Sequence, residues 1–213
     1  MLVSSLTDRT GESPRTERGG GGRRVVRSNT RDEILSAAAR LFAAAGFKGT
    51  SLHDIAVEVG CSKAALLYHF DSKEAILTSL CAPAIADLEQ LYNRLETLDE
   101  TAARQAAVEG FVELCMRYRA EIQIIYGDLP GLLQQPALHK VHAMTTRMCE
   151  MLAGPGAGLG RTIAAKLVLA GIPAIVGGFE YEERNYSDEE LRAGLVEAAT
   201  QALAPPNNHE ATR

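Results

Sequence analysis

Between Ser51 and Phe70 two short runs of helical period are separated by a single glycine, an arrangement that few folds can use. Leu52, Ile55, Ala56 and Val59 recur at spacings of three and four, as one face of a helix requires, and Gly60 stops that helix after about two turns. A second helix is expected from Ser62 to about Tyr68. Two short helices that cross steeply need a small side chain at the crossing and a residue free to take φ > 0 in the turn. Ala56 and Gly60 meet these two needs. Leu52, Ile55, Val59 and Leu66 would hold the pair against the preceding helix. That leaves Ser62, Lys63, Ala64, Ala65, Leu67, Tyr68 and His69 to be divided between packing and an outward face. A short helix whose first residues are small or polar can enter a DNA major groove without clash.

The flanking sequence supplies the rest of a helical scaffold. Ile34, Leu35, Ala38, Leu41 and Phe42 share one face of a helix predicted from about residue 31 to Ala45, with Thr30-x-x-Glu33 as a capping box and Gly46 as its C-terminal glycine. Thr50 and Ser51 offer the next N-cap. Asp71-x-x-Glu74, or Ser72 itself, caps a longer helix to about residue 96, with Ile76, Leu77, Leu80, Ile85, Leu88, Leu91 and Leu95 facing inward. Further helices are expected over 101–120, 121–127, 134–152, 159–182 and 188–203, the last capped by Ser187-x-x-Glu190. No stretch shows the strict alternation of a half-buried strand, so the fold class is all-α. The expected organisation is a flexible arm over 1–29, a three-helix helix-turn-helix domain over 30–75, a second helical domain over 76–203, and a tail over 204–213. The arm carries Gly19 to Gly22 followed by Arg23, Arg24 and Arg27. These arginines suit either an adjacent minor groove or a solvated tail.

The formal net charge of −5 would by itself argue against a nucleic-acid partner, but its distribution does not. Residues 23–73 hold eight basic and five acidic side chains, whereas residues 74–213 hold eleven basic and nineteen acidic. One positive face on an otherwise acidic molecule suits a protein that approaches a polyanion in one orientation. Cys61, Cys81, Cys115 and Cys149 are widely spaced, with no C-x-x-C pair, and read as reduced core residues. No uninterrupted apolar run of membrane-spanning length and no signal peptide is found, and a cytoplasmic location is expected.

Residues 31–77 resemble the TetR family of transcriptional regulators. The resemblance is carried by Gly46-Phe47, Thr50-Ser51, Ile55-Ala56, Gly60-Cys61-Ser62-Lys63, Tyr68-His69-Phe70 and Ser72-Lys73. It implies that Thr50, His69 and Lys73 touch DNA phosphates and that Lys63, Ala64 and Ala65 lie at or near base edges. Ser51, Ser62, Leu67 and Tyr68 complete the candidate DNA-binding set. Leu67 stands where the family usually has a tyrosine, and Ala65 replaces a commonly polar residue, leaving methyl contacts. Read on their own, Tyr68 and Phe70 fit packing better than DNA contact, because aromatics at helical spacing usually belong to a core.

The resemblance also implies that 76–203 is a ligand-binding and dimerisation domain, with a homodimer, a near-palindromic operator and an apolar or amphipathic small-molecule effector that releases a repressor from DNA. Small residues favour close helix approach at the two-fold: Ala164, Ala165, Ala170, Gly171, Ala174, Gly177 and Gly178, then Ala193, Gly194, Ala198 and Ala199. Leu88, Tyr92, Phe111, Cys115, Tyr126, Met144, Met148 and Phe179 are candidates for the effector cavity, and describe an ordinary core equally well.

No cofactor is called for. His139 and His142 share a helical face, but no third ligand stands at metal-binding spacing, so water is their expected partner. Cys115 and Cys149 read as buried thiols rather than oxidant sensors. The competing classes are a regulator without a small-molecule ligand, and an enzyme of an unrecognised helical class. For the enzyme there is no nucleophile elbow, Walker A loop or H-E-x-x-H pair, and Gly156 to Gly160 (GAGLG) follows a helix rather than a strand.

Overall fold

A computed structural model of the chain describes residues 22–127, 136–178 and 186–204. Residues 1–21 of the expected arm, Phe179 and residues 205–213 of the expected tail lie outside them. Among the described residues the chain is all-α, with nine helices: α1 Gly22–Gly49, α2 Leu52–Val59, α3 Lys63–His69, α4 Lys73–Leu95, α5 Glu100–Arg117, α6 Arg119–Gly127, α7 Pro136–Ala153, α8 Leu159–Gly178 and α9 Asp188–Leu203.

The local chemistry explains most of these boundaries. Ser51, Ser62, Ser72 and Ser187 have extended backbones, and each side chain accepts a hydrogen bond from the backbone N–H three residues on. Asp99 caps α5 in the same way, through Thr101 and Ala102. One start differs from expectation. α1 begins at Gly22, so Thr30 and Glu33 lie inside the helix rather than capping it, and residues 22–29 are helical where an arm was expected. α1 is broken near its end by Gly46, at φ 75° and ψ 162°, where the sequence placed its terminal glycine.

Two cores stack along α4. The first joins Ile34, Ala38 and Phe42 of α1 to Ile55, Ala56, Leu66 and Phe70, then to Ile76, Leu77 and Cys81 of α4 and Ile124 of α6. The second joins Leu88, Leu91 and Leu95 of α4 to residues of α5 and α7–α9, including Phe111, Met148, Val168 and Leu195. Ile85 and Val141 pack against both. Each fully buried side chain of this size contributes roughly 1.5–3 kcal/mol, so packing offsets the ordering of α2 and α3, both far too short to be helical alone. α6 lies against α1 on one side and α8 on the other.

The helix α8 is long and apolar enough to cross a bilayer, with mean hydropathy 1.6 over Leu159–Gly177. Arg161 and Lys166 interrupt its apolar run, so no unbroken stretch of spanning length stands in the sequence. One side of α8 is core, through Ala165, Val168, Ile172 and Val176, while Leu159, Ile163, Leu167 and Ile175 are exposed. The small residues expected at a two-fold therefore divide. Ala165 and Ala199 are buried within their own chain, and Gly177 is pressed against α6.

A Cβ added at Gly177 would fall 2.6 Å from Ile122 Cγ2 and 3.0 Å from the Gln123 backbone nitrogen, whereas one at Gly171 would meet nothing within 4 Å. Gly177→Ala is expected to lower unfolding stability by about 1–3 kcal/mol through overpacking. Gly171→Ala should leave the chain's own packing untouched. Urea unfolding followed by circular dichroism separates the two.

Candidate DNA interface and inner cavity

The turn between α2 and α3 is built from two hydrogen bonds that end α2. Gly60 N–H donates to Val57 O at 3.0 Å and Cys61 N–H to Ala56 O at 2.9 Å, the paired pattern of a helix closed by a left-handed residue. Gly60 supplies that conformation at φ 74°, and Ala56 is buried at the crossing. On α3 only Leu66 is buried, and Phe70, at its C-cap, is buried too. Ser62, Lys63, Ala64, Ala65, Leu67 and Tyr68 are exposed and His69 is half-buried. The outer face of α3 is thus open along its length. Tyr68 reverses the packing expectation at 70% exposure, its ring set edge-on to His69 at 5.4 Å.

Three other candidates have their polar groups engaged inside the fold. Thr50 is 3% exposed. Its hydroxyl donates to Leu41 O at 3.1 Å and lies 3.0 Å from Gly46 O, satisfying carbonyls left bare where α1 ends. The N-cap of α2 is Ser51 alone. Its backbone N–H donates to Asp54 Oδ2 at 2.8 Å, its hydroxyl to the same oxygen at 2.7 Å, and its Oγ accepts from Asp54 N–H. The Ser51 hydroxyl, then the Ser51 N–H, hold the Asp54 carboxyl below its ordinary pKa. Lys73 departs furthest from expectation. Its ammonium donates to Phe47 O at 2.6 Å and Thr50 O at 2.8 Å and sits 4.4 Å from the Phe47 ring centre. It therefore ties the start of α4 to the end of α1. A phosphate role for the Thr50 hydroxyl and the Lys73 ammonium does not follow from this geometry, because both groups serve backbone carbonyls. Sequence spacing placed both residues correctly but not the direction of their side chains.

A second feature lies where the two cores meet. α4, α5, α6, α7 and α8 line a partly open cavity of about 220 Å³. Of the residues expected to line it, Leu88, Phe111, Cys115 and Tyr126 do. Met144 and Met148 are buried in the adjoining core. Tyr92 is at the surface instead, its hydroxyl donating to Glu96 at 2.7 Å with the Arg147 guanidinium over its ring. Cys81, Ile85, Glu121, Val141, His142 and Thr145 were missed as lining residues. Burial pushes the Cys115 thiol up to about 12 and the Cys81 thiol, with help from the Glu121 carboxylate, up to about 11. Both are neutral walls near neutral pH, not nucleophiles. The cavity abuts an open groove between α7 and α8, since His142, Thr145 and Leu169 border both. Among the described residues no three His, Cys, Asp or Glu side chains converge on a metal site.

Lys73→Met removes two charge-assisted hydrogen bonds to backbone carbonyls and is expected to cost about 1–2 kcal/mol of stability. The unfolding midpoint should fall, while the salt dependence of DNA binding should keep its slope. A phosphate contact would instead reduce that slope by about 1.

The sequence profile described as bacterial regulatory proteins, tetR family, matches residues 34–80, which cover α2, α3 and the flanking parts of α1 and α4. The chain is 28% identical over 130 residues to the HTH-type transcriptional repressor KstR2 of Rhodococcus jostii, a match that covers 60% of this chain and 64% of that protein. It is 50% identical over 46 residues to the biofilm operon icaADBC HTH-type negative transcriptional regulator IcaR of Staphylococcus aureus, covering 22% of this chain and 25% of the relative. The chain thus spans less than two thirds of either relative in these alignments. In three dimensions it is similar to the ketosteroid transcriptional regulator KstR2 of Mycobacterium tuberculosis, with TM-score 0.64, 18% identity and coverage of 81% of this chain and 92% of that one. That likeness concerns the fold. The crossed pair α2 and α3 lies wholly within the residues that match the tetR family of bacterial regulatory proteins, and the all-helical second core lies beyond them.

Proposed function

We propose that this chain is a DNA-binding transcriptional regulator, most simply a repressor, that works as a homodimer and is released from a near-palindromic operator by a small molecule held in the inner cavity. The observation that carries the reading is the open outer face of α3, where Ser62, Lys63, Ala64, Ala65, Leu67 and Tyr68 stand clear of the fold while Leu66 and Phe70 anchor it. Lys63 at the start of α3 is the candidate base-edge or phosphate ligand, and the Ala64 and Ala65 methyls suit close approach to a groove floor. The repressor names of the relatives support the direction of regulation. They leave the enzyme alternative without a supporting observation. A regulator that reads DNA acts in the cytoplasm.

Support for the homodimer comes from α8. Leu159, Ile163, Leu167 and Ile175 lie four or eight residues apart and are 77%, 46%, 66% and 40% exposed. An apolar stripe of this length on one helix needs a cover. Ala193, Gly194 and Ala198 of α9 are also exposed and allow close approach beside it. A two-fold through this face makes a four-helix bundle from two copies of α8 and α9 and presents two copies of α3 about 34 Å apart, one turn of B-DNA.

Support for an effector comes from the place of the cavity. Its wall includes Cys81, Ala84, Ile85 and Leu88 of α4, the helix whose first turn is tied by Lys73 to the helix-turn-helix. A ligand that prefers one tilt of α4 shifts the spacing of the recognition helices, and by linkage DNA lowers affinity for that ligand by the same factor.

Selection of bound sequences from random duplex DNA is expected to return an inverted repeat with half-sites about one helical turn apart. Lys63→Ala should weaken binding to it by about 1–3 kcal/mol with the fold intact. Failure to enrich any sequence would overturn the regulator reading. Leu167→Glu should convert a dimer to a monomer in sedimentation, with an unchanged far-UV spectrum and a steep loss of operator affinity. A dimer that persists would move the two-fold elsewhere.

A further inference from the structure

The cavity wall is apolar except for a few side chains, and one of these is out of place. Glu121, in the first turn of α6, lines the cavity and is half-buried, with no hydrogen bond or ion pair among the described residues. The bases nearest it in sequence are taken. Arg117 pairs with Asp87 at 3.0 Å and Arg119 with Asp188 at 2.9 Å. Lys140, at the start of α7, pairs with Glu89 at 2.7 Å. No Lys or Arg lines the cavity. The other titratable groups on the wall are the Cys81 and Cys115 thiols, the Tyr126 hydroxyl and the exposed His142. Tyr126 donates to Ala170 O at 3.0 Å. The Cys81 thiol is pushed up to about 11 first by burial and then by Glu121, which places the Glu121 charge within electrostatic reach of the α4 wall.

A half-buried carboxylate on an apolar wall, with no cation paired to it, has only solvent to balance its charge. A ligand that fills the cavity strips more water from it, so the cost grows on binding unless the ligand brings positive charge. The geometry points to an amphipathic organic cation as the effector class: an apolar body against Leu88, Phe111 and Ile122, with a protonated or quaternary amine against Glu121. The same carboxylate disfavours anionic ligands such as fatty acids, by like-charge repulsion in a low-dielectric site. This inference rests on the cavity being the effector site, as proposed above.

Three probes with alkyl tails of seven or eight carbons and different head groups test it: octyltrimethylammonium, octanol and octanoate, each below its micellar concentration and titrated into the protein by calorimetry without DNA. The expected order is ammonium, then alcohol, then carboxylate, with the ammonium at least on the order of tenfold tighter than the carboxylate. Glu121→Gln should collapse the ammonium preference and leave octanol binding unchanged. The inference is overturned if octanoate binds as tightly as the ammonium, if the preference survives Glu121→Gln, or if none of the three binds. Equal binding of all three would overturn the charge preference while leaving the cavity as a ligand site. Because DNA is absent, the result is independent of the operator selection that tests the regulator reading.

Discussion

A single ammonium group ties together the junction at which α1, α2 and α4 meet. Lys73 leaves the first turn of α4 and ends on the carbonyls of Phe47 and Thr50, where α1 stops and α2 is about to begin. Helix C-terminal carbonyls carry partial negative charge, so this is a favoured place for a cation. Thr50 completes the same junction from the other side, through Leu41 and Gly46. The Phe47 ring beneath the ammonium packs edge-on against Phe42, which ties the polar junction to the apolar core. α2 starts from this junction, and the first core holds α2 and α3 against α1 and α4.

α4 belongs to both cores, and this sharing removes a clean mechanical division between the end that holds α1–α3 and the rest. Ile76, Leu77 and Cys81 are packed with the first core and Leu88, Leu91 and Leu95 with the second. α6 adds a second tie, since Ile124 enters the first core while Ile122 packs against the second. The cavity occupies the space between these ties. A guest there touches the two elements that join the halves, so its binding energy acts where it can be felt at a distance.

Much of this was legible in the sequence, because helix periodicity, serine caps and glycine stops are local signals. The starts of α2, α3, α4 and α9 lie where Ser51, Ser62, Ser72 and Ser187 place them. What was not legible depends on side-chain direction. The family resemblance points Lys73 and Thr50 toward DNA phosphates, yet the end of α1, with its carbonyls up to 26 residues upstream of Lys73, offers them partners within the fold. Tyr68 was read as core because aromatics usually are, but Leu66 and Phe70 already fill the inner face of α3. Glu121 escaped notice because a lone acid in the first turn of a helix is the ordinary place for one. Only the convergence of five helices shows that it faces a cavity.

Within α4, residue 83 is a proline, two positions after Cys81 and two before Ile85, at the passage from one core to the other. Proline has no N–H to give to the Ser79 carbonyl, so the helix ladder lacks a rung there, a loss that costs about 3 kcal/mol in an ordinary helix interior. Packing on either side keeps the rod continuous. The missing rung nonetheless makes this stretch the most compliant part of a stiff strut, and it is the stretch that borders the cavity. A small outward push from inside would bend the strut at that point and be magnified along the lever to the junction of α1 and α2, while neither hydrophobic cluster need come apart.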